Sequence, residues 1–127
     1  LSIDVREASS GKWRVWSNSG NLATERDPLE WTAEAVDRGA GEVMVTSIDR
    51  DGTGFGLDLP LVLSLNESLK VPLIASGGCG LAKHLAEGYK AGASAVAAGT
   101  LFSQRDQNPM QLRSQILNSG FPIRIEA

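Results

Sequence analysis

The sequence predicts a parallel α/β fold made of four consecutive βα units. Short apolar runs alternate with helix-length amphipathic segments along the 127 residues, which is the pattern of such units. Each run is continuously apolar, as expected for strands that are buried on both faces and pair in parallel. Every glycine-rich or acidic stretch follows a run. We therefore expect a single domain over residues 1–127, with its functional loops at the carboxyl ends of the strands.

The first unit is expected to contain a strand, a short hairpin and a helix. The strand is predicted over residues 1–5, and alternating side chains predict a hairpin near residues 11–20. The helix is predicted over residues 28–38. Asp27 can cap its first turn, and Pro28 has the fixed φ that suits the first helical position.

Three further units follow the same plan. Asp58 is a candidate cap of the second predicted helix, whose first residues carry the apolar spacing of one buried face. The predicted strands and the helices that follow them are, in order, residues 42–47 and 59–69, residues 71–75 and 81–91, and residues 93–98 and 109–118.

Composition and charge exclude several classes of function. The net charge of −3 and the pI near 5.1 argue against a nucleic-acid binder, since such proteins usually carry a basic face. With one cysteine, Cys79, and one histidine, neither an internal disulfide nor an ordinary zinc site is expected, and a thiol nucleophile would lack a base. We predict no metal and no cofactor. No apolar run is long enough to span a bilayer, and no signal-like start is visible, so a cytoplasmic protein is expected.

Two glycine-rich loops form the candidate binding site. Residues 76–80 (SGGCG) follow the third apolar run, and residues 98–100 (AGT) follow the fourth. Their backbone N–H groups are not shielded by Cβ atoms, and the start of a helix adds partial positive charge beside each loop, which favours a phosphate group. The competing interpretation is that these glycines only make tight βα turns. Two such loops after consecutive strands favour the phosphate site.

The titratable side chains near the predicted strand ends allow more than one role. Asp4 lies where a rigid strand can hold a general acid or base, and the competing interpretation is a loop-capping or salt-bridged carboxylate, with Arg6 as a candidate partner. Asp49 and Asp51 share one loop, in which one of them is a candidate cap for backbone amides. His84, about one turn into a predicted helix, is expected at the surface or on a helix face.

Three blocks of the sequence resemble one enzyme family. They are GAGEVMVTSIDRDGTGFGLD (39–58), VPLIASGGCG (71–80) and AGASAVAAGTLF (91–102), and the opening SIDV and the later WSNSG fit the same pattern. Together they resemble the C-terminal half of the cyclase subunit of imidazole glycerol phosphate synthase, an enzyme of histidine biosynthesis. The resemblance implies that this chain is a (βα)4 half-barrel, which corresponds to the second half of a TIM (βα)8 barrel.

The resemblance also implies a reaction and a set of site residues. The family uses ammonia from a glutaminase subunit to convert a bisphosphorylated ribulosyl-formimino aminoimidazole carboxamide nucleotide into imidazole glycerol phosphate and aminoimidazole carboxamide ribotide. By position, Asp4 resembles the general acid of this lyase/cyclase, and Glu42 resembles an acidic residue of its ammonia gate. The residues that match its phosphate site are Asp51, Gly52, Gly78, Gly99 and Thr100, and those that match its pocket wall are Ser19, Thr46 and Ser76.

A half-barrel is expected to need a second half. A full barrel of this type has about 250 residues, so one chain is not expected to perform the cyclisation alone. Residue 1 is Leu and the chain opens directly on a strand, which suggests trimming or a missing upstream part. A half-barrel would leave an apolar inner face and two unpaired strand edges, and we therefore hypothesise a homodimer of two half-barrels, with a glutaminase subunit as a candidate further partner.

Two other functions stay open on the sequence alone. The Gly99-Thr100 pair and the tail over residues 105–124 resemble cyclase-like relatives from surface-sugar gene clusters, which are thought to direct ammonia onto a nucleotide sugar. A component of a nucleotide-sugar amidotransferase is therefore the alternative enzyme. A non-catalytic phosphate-binding half-barrel is the alternative binding module, and it would need neither Asp4 nor Glu42.

Overall fold

The computed structural model describes residues 1–104 and 107–124; residues 105–106 of the tail and residues 125–127 at the end of the predicted domain lie outside the described residues. The strands are β1 (Ser2–Ser9), β2 (Lys12–Ser17), β3 (Leu22–Ala23), β4 (Val43–Ser47), β5 (Leu73–Ser76) and β6 (Ala95–Ala97). The helices are α1 (Pro28–Asp37), α2 (Leu59–Ser68), α3 (Ala82–Lys90), α4 (Thr100–Ser103) and α5 (Pro109–Asn118).

Four strands form the predicted parallel array. The order across the sheet is β3-β2-β1-β4-β5-β6, and β1, β4, β5 and β6 are parallel neighbours. These four strands follow one another across the sheet in chain order, with a helix between each pair, as in a (βα)8 barrel rather than a doubly wound sheet. The chain is therefore a (βα)4 half-barrel, as the sequence predicted.

The first unit joins its strand and hairpin differently from the prediction. β1 does not end at residue 5 but continues to Ser9, and β2 pairs with it in antiparallel fashion. The register of this pairing shifts between Glu7 and Ser9, which marks a bulge. β3 then pairs with β2 over two residues. The hairpin is thus an extension of the sheet beyond β1.

One apolar core lies between the sheet and the helices. Every second residue of the parallel strands points into it, and the inner faces of α2, α3 and α5 close it from the other side. Its members include Ile3, Val5, Val43, Val45, Leu73 and Ala75 from the strands and Leu61, Leu65, Leu85, Leu112 and Ile116 from the helices. Full burial stabilises each large aliphatic side chain by about 1.5–3 kcal/mol. The helices therefore cover one face of the sheet only.

The other face of the sheet is only half-buried, and it is less apolar than expected. One row across it, formed by Met44, Ile74 and Ala95 in register, is apolar, but the next row towards the strand carboxyl ends is mostly polar. The expectation that the outer edge of β1 is unpaired is also wrong for most of the strand, because β2 pairs with that edge as far as Asp4. Only the first residues of β1 keep an open edge on that side.

The predicted boundaries of the four long helices agree with the structure to within one residue, and local caps determine the starts of α1 and α2. The Asp27 carboxylate accepts from the N–H of Leu29 at 2.8 Å and of Glu30 at 3.2 Å, and Asp58 accepts from the N–H of Leu61 at 3.1 Å. Such a cap contributes about 1 kcal/mol. No helix within the described residues is long and apolar enough to cross a membrane.

Candidate functional site

The predicted catalytic and pocket residues of the strands lie side by side. Asp4 of β1 is in register with Thr46 of β4, and Thr46 is in register with Ser76 of β5. In-register residues of neighbouring parallel strands point to the same side of a sheet, so one carboxylate and two hydroxyl groups form a polar row about 10 Å long on the uncovered face. Trp16 of β2 extends this row on one side and Ala97 of β6 on the other. We call these five residues the polar row.

Arg6 pairs with Asp49, so the interpretation that Asp4 is its structural partner is wrong. Arg6 Nε lies 3.0 Å from Asp49 Oδ1, and its guanidinium group lies 4.4 Å from the ring centre of Trp16. Asp49 Oδ2 also accepts from the Glu7 N–H at 2.9 Å. Asp49 is therefore the loop carboxylate that caps a backbone amide. Both side chains of the ion pair are about two-fifths exposed, so the pair itself contributes at most about 1 kcal/mol.

Asp51 and Gly52 form the exposed part of the loop between β4 and α2. The Asp51 N–H donates to the Ser47 carbonyl oxygen at 2.9 Å and closes a turn after β4. Gly52 has a φ of +77°, which favours glycine, and a Cβ there would meet no atom within 4 Å. Since its N–H is already used, Asp51 has only acceptor groups left for a ligand, among them its carboxylate.

The loop between β5 and α3 packs backbone against backbone on the β4–α2 loop. The Gly56 N–H donates to the Gly78 carbonyl oxygen at 2.8 Å. A Cβ on Gly78 would collide with the Gly56 carbonyl oxygen, and one on Gly80 would collide with the backbone of Gly54. Gly78 also has a φ of +99°. The turn and its packing therefore require glycine at position 78, with or without a ligand.

His84 is buried beneath these two loops, and the expectation of a surface position is wrong. Its side chain is 5% exposed, and its Nδ1 accepts from the Gly80 N–H at 3.1 Å. Cys79 of the β5–α3 loop is also buried, and burial, followed by the negative charge of Glu87, raises the pKa of the Cys79 thiol to about 11. The thiol is therefore protonated at neutral pH, which is unfavourable for a nucleophile.

The junction between β6 and α4 is built differently. Gly99 is exposed, has an ordinary φ of −109°, and a Cβ there would meet no atom within 4 Å. Thr100 begins α4 directly after it. Among the described residues, no side chain caps the start of α3 or α4, whereas α1, α2 and α5 are capped by Asp27, Asp58 and Asn108. The two helices that follow the glycine-rich loops thus begin with amides that no side chain caps.

The last two predicted site residues, Ser19 and Glu42, belong neither to the polar row nor to the loops described above. Ser19 is in the exposed turn between β2 and β3, with a φ of +53°, and this turn approaches the end of β4 because a Cβ on Gly20 would lie 3.2 Å from Ile48 Cδ1. Glu42 precedes β4 at the amino end of the sheet, where its carbonyl oxygen accepts from the Leu1 amino group at 2.9 Å. Glu42 therefore lies at the end of the sheet opposite the glycine-rich loops.

Sequence reasoning missed Trp16 and His84. Counting pairs back from the hairpin turn, where Ser9 faces Lys12, would place Ser17 opposite Asp4, but the bulge moves Trp16 to that position. For His84 the available signal was its place in the first turn of a helix, four residues after the last glycine of a glycine-rich loop and within reach of that loop. Among residues 1–104 and 107–124, no group of three or more His, Cys, Asp and Glu side chains is arranged to hold a metal ion.

Comparisons with known proteins support the same assignment as the motifs. A family model described as "Histidine biosynthesis protein" matches residues 1–108. A Prochlorococcus marinus (strain MIT 9313) protein, provisionally named imidazole glycerol phosphate synthase subunit hisF2, is 56% identical over 126 residues, which are 99% of this chain and 48% of the relative. Proteins named imidazole glycerol phosphate synthase subunit HisF are 38% identical in Gluconacetobacter diazotrophicus and 43% in Exiguobacterium sibiricum, each over 124 residues and 98% of this chain.

These matches cover nearly all of this chain but only part of each relative. The chain spans about half the length of the curated relatives it matches, 48% and 49% for the last two. The resemblance drawn from the motifs is confirmed. Because the family model covers the four parallel strands, the polar row and both glycine-rich loops, the chain belongs to the histidine biosynthesis protein family.

Proposed function

We propose that this chain is one half of an ammonia-dependent lyase/cyclase of the imidazole glycerol phosphate synthase type, which binds a phosphorylated substrate at the carboxyl ends of its strands. The observation that carries the proposal is the polar row, in which Asp4, Thr46 and Ser76 face the same open side of the sheet. A carboxylate and two hydroxyl groups beside the apolar row of Met44, Ile74 and Ala95 are suited to binding or proton transfer rather than to packing.

Asp4 is the proposed general acid. It lies between Trp16 on β2 and Thr46 on β4, so strand pairing on both sides holds its backbone. A carboxyl group fixed in this way can be aimed at one atom of a substrate, which a flexible loop carboxylate cannot do equally well. Thr46 and Ser76 supply hydroxyl groups along the same row for hydrogen bonds to the substrate.

The proposed phosphate site uses Gly99, Thr100 and Gly78. The uncapped start of α3 supports it, since backbone N–H groups and the helix dipole favour an anion there. At the four-residue α4, the support is the exposed backbone of Gly99, which no Cβ shields. We assign the exposed residues Asp51 and Gly52 to the rim of this site. A carboxylate would repel phosphate oxygens, so we assign Asp51 to hydrogen bonds with hydroxyl or N–H groups of the substrate beside the phosphate.

We further propose that a second half-barrel, in the simplest case a second copy, completes the pocket. The uncovered face leaves Met44 and Ile74 half-buried, and among the described residues the outer edge of β6 has no strand partner. The first residues of β1 have an open edge beside a groove of about 450 Å³ lined by Asp4, Trp16 and Trp31 among others. A strand edge can pair there.

Glu42, at the opposite end of the sheet, is the proposed contact for ammonia delivered by a glutaminase partner. The proposal also includes a cytoplasmic location, as expected from the sequence.

The first test is the molar mass in solution. Light scattering on a size-exclusion column, with and without the bisphosphorylated nucleotide substrate of the cyclase, is expected to show a dimer or a higher multiple that the ligand stabilises. A well-folded monomer that ignores the ligand would contradict both the completed barrel and the phosphate site.

The second test is the substitution Asp4→Asn in the assembly that shows ammonia-dependent turnover. Removal of a general acid lowers kcat by about 10²–10⁴-fold, while binding of the phosphorylated substrate is expected to change little. Asp37→Asn, the same substitution at an exposed helix end, is the control. Normal turnover of the Asp4 variant would refute the general-acid assignment, and ligand binding without turnover in the wild type would favour the non-catalytic binding module.

A further inference from the structure

His84 contacts the β5–α3 loop through a hydrogen bond. It is the third residue of α3, and its Nδ1 accepts from the buried N–H of Gly80, which precedes the helix. The arrangement is similar to a capping box, in which the third side chain of a helix accepts from a backbone N–H before the first turn. An acceptor at Nδ1 carries no proton, so the neutral ring holds its proton on Nε2.

His84 also contacts the β4–α2 loop through its ring. A Cβ on Gly56 would lie 3.4 Å from His84 Cδ2, which is ordinary van der Waals contact, so the bare Gly56 backbone faces the ring. Gly56 in turn donates to the Gly78 carbonyl oxygen. One side chain therefore touches both loops at the point where their backbones meet.

The two loops meet mainly through their backbones. Glycines at positions 54, 56, 78 and 80 line the contact, with the Gly56–Gly78 hydrogen bond and the Cβ of Arg50 beside them. Backbones without side chains pack closely, but they offer little side-chain shape that would make one arrangement of the two loops unique. The buried ring of His84 supplies a rigid shape and a directed acceptor at the same place.

We propose that His84 is a positioning residue that holds the β4–α2 and β5–α3 loops in the mutual arrangement that a phosphate group requires. The inference rests on the proposed phosphate site. His84 acts through Gly80 and Gly56 rather than through the ligand, since it lies 5% exposed beneath the loops. Its hydrogen-bond acceptor is the part of the side chain that matters most for the ligand.

The test compares two substitutions that separate shape from acceptor. His84→Phe keeps a buried ring but removes the acceptor, whereas His84→Asn loses the ring and keeps an oxygen near the position of Nδ1. Gln115→Ala, at an exposed position of α5, is the control. Amide hydrogen exchange at Gly80 reports the hydrogen bond, a titration with inorganic phosphate reports the site, and urea unfolding reports stability.

The expected order of the two variants in phosphate affinity and Gly80 protection is opposite to the order that core filling alone would produce. We expect His84→Phe to speed Gly80 exchange and to weaken phosphate binding, each by about tenfold, because a buried N–H is left unsatisfied. His84→Asn is expected to keep Gly80 protection and phosphate affinity within about threefold of the wild type, although it is the less stable variant because it opens a cavity. If His84→Phe matches the wild type in both readouts, or binds phosphate better than His84→Asn, the positioning role is refuted.

Failure of the proposed function would give a different result. If the wild type does not bind inorganic phosphate, the phosphate site itself is refuted, and with it the ligand part of this inference. Gly80 exchange in the two variants then still decides the structural part. Loss of protection only in His84→Phe would support the locking of the loops, and equal protection in both variants would refute it.

Discussion

The β5–α3 loop and the β6–α4 junction both place glycine directly after a parallel strand, but for different physical reasons. In the β5–α3 loop, Gly78 is buried with a φ of +99°, and a Cβ would collide with the Gly56 carbonyl oxygen. At the β6–α4 junction, Gly99 is exposed with a φ of −109°, and a Cβ would point into open space. The fold accounts for Gly78, whereas it places no demand on Gly99.

This difference shows how a glycine-rich motif combines two signals. Glycine after a strand allows a close approach of backbone to backbone or of backbone to ligand. The sequence alone does not distinguish the two cases, because glycine is the signal in both. The β5–α3 loop uses the first kind of approach, against the β4–α2 loop. The β6–α4 junction is free for the second kind. Substitutions in the two regions are therefore expected to separate stability from phosphate binding.

The largest expected effect is that of Gly78→Ala. The added Cβ must displace the Gly56 carbonyl oxygen in addition to the strain of a positive φ, and we expect a loss of at least about 3 kcal/mol in the free energy of unfolding. Gly39→Ala is the matched control, because its φ of +105° is similar and no atom lies within 4 Å. It should lose about 1–2 kcal/mol. Urea midpoints at an unchanged slope measure both, and equal losses would show that loop packing is unimportant.

The next effect is a pH dependence due to Cys79 in the same loop. Burial and then the charge of Glu87 raise the pKa of this thiol from 9.0 to about 11. Above about pH 9 the unfolded chain loses the thiol proton while the folded chain keeps it, so unfolding becomes more favourable. The stability from this group is intact below pH 9 and falls by about 2–3 kcal/mol as the pH rises to about 11.

Urea unfolding of the wild type and Cys79→Ala between pH 8 and pH 11 measures this contribution. The wild type should lose more stability than the variant over that range. If the two proteins show the same pH dependence, the β5–α3 loop is more open to water than its packing implies, and the contrast with the β6–α4 junction weakens.

A smaller effect is expected for Leu81→Asp. Leu81 is the exposed N-cap residue of α3, its backbone is extended, and no side chain caps the helix there. An aspartate is expected to stabilise the fold by about 1 kcal/mol through a new cap. The same carboxylate should weaken phosphate binding, because it occupies the amides and repels the anion. Leu81→Ala is the control, and unchanged phosphate affinity in Leu81→Asp would place the anion away from the start of α3.

The smallest effect on stability is expected for Gly99→Val. Since the new side chain would meet open space, the free energy of unfolding should change by no more than about 0.5 kcal/mol. Phosphate affinity should nevertheless fall by about tenfold, or about 1.4 kcal/mol, because the side chain would block the approach of the ligand to the backbone. An isothermal titration with phosphate measures this, and an unchanged affinity would remove Gly99 from the site.

Much of the architecture was predictable because its signals are local. Continuous apolar runs identified the parallel strands, and Asp27 and Asp58 located two helix starts through bonds to N–H groups two or three residues away. The polar row was partly predictable, since Asp4, Thr46 and Ser76 each lie at the end of an apolar run. These features depend on residues that are close in sequence.

The remaining features depend on contacts between distant residues. The bulge in β1 determines that Trp16 rather than Ser17 faces Asp4. Arg6 of β1 pairs with Asp49 of the β4–α2 loop. The bond from the Glu7 N–H to Asp49 joins residues 42 positions apart. Only the packed chain shows whether a glycine is crowded or open.

By itself, the sequence determined the periodic elements, their caps and the family motifs, because helix and strand preferences act over a few residues. The tertiary structure alone decided the burial of His84, the packing that requires Gly78 and the open space at Gly99. The physical reason is that these properties belong to pairs of loops, and no single segment carries the information on how closely its neighbour approaches.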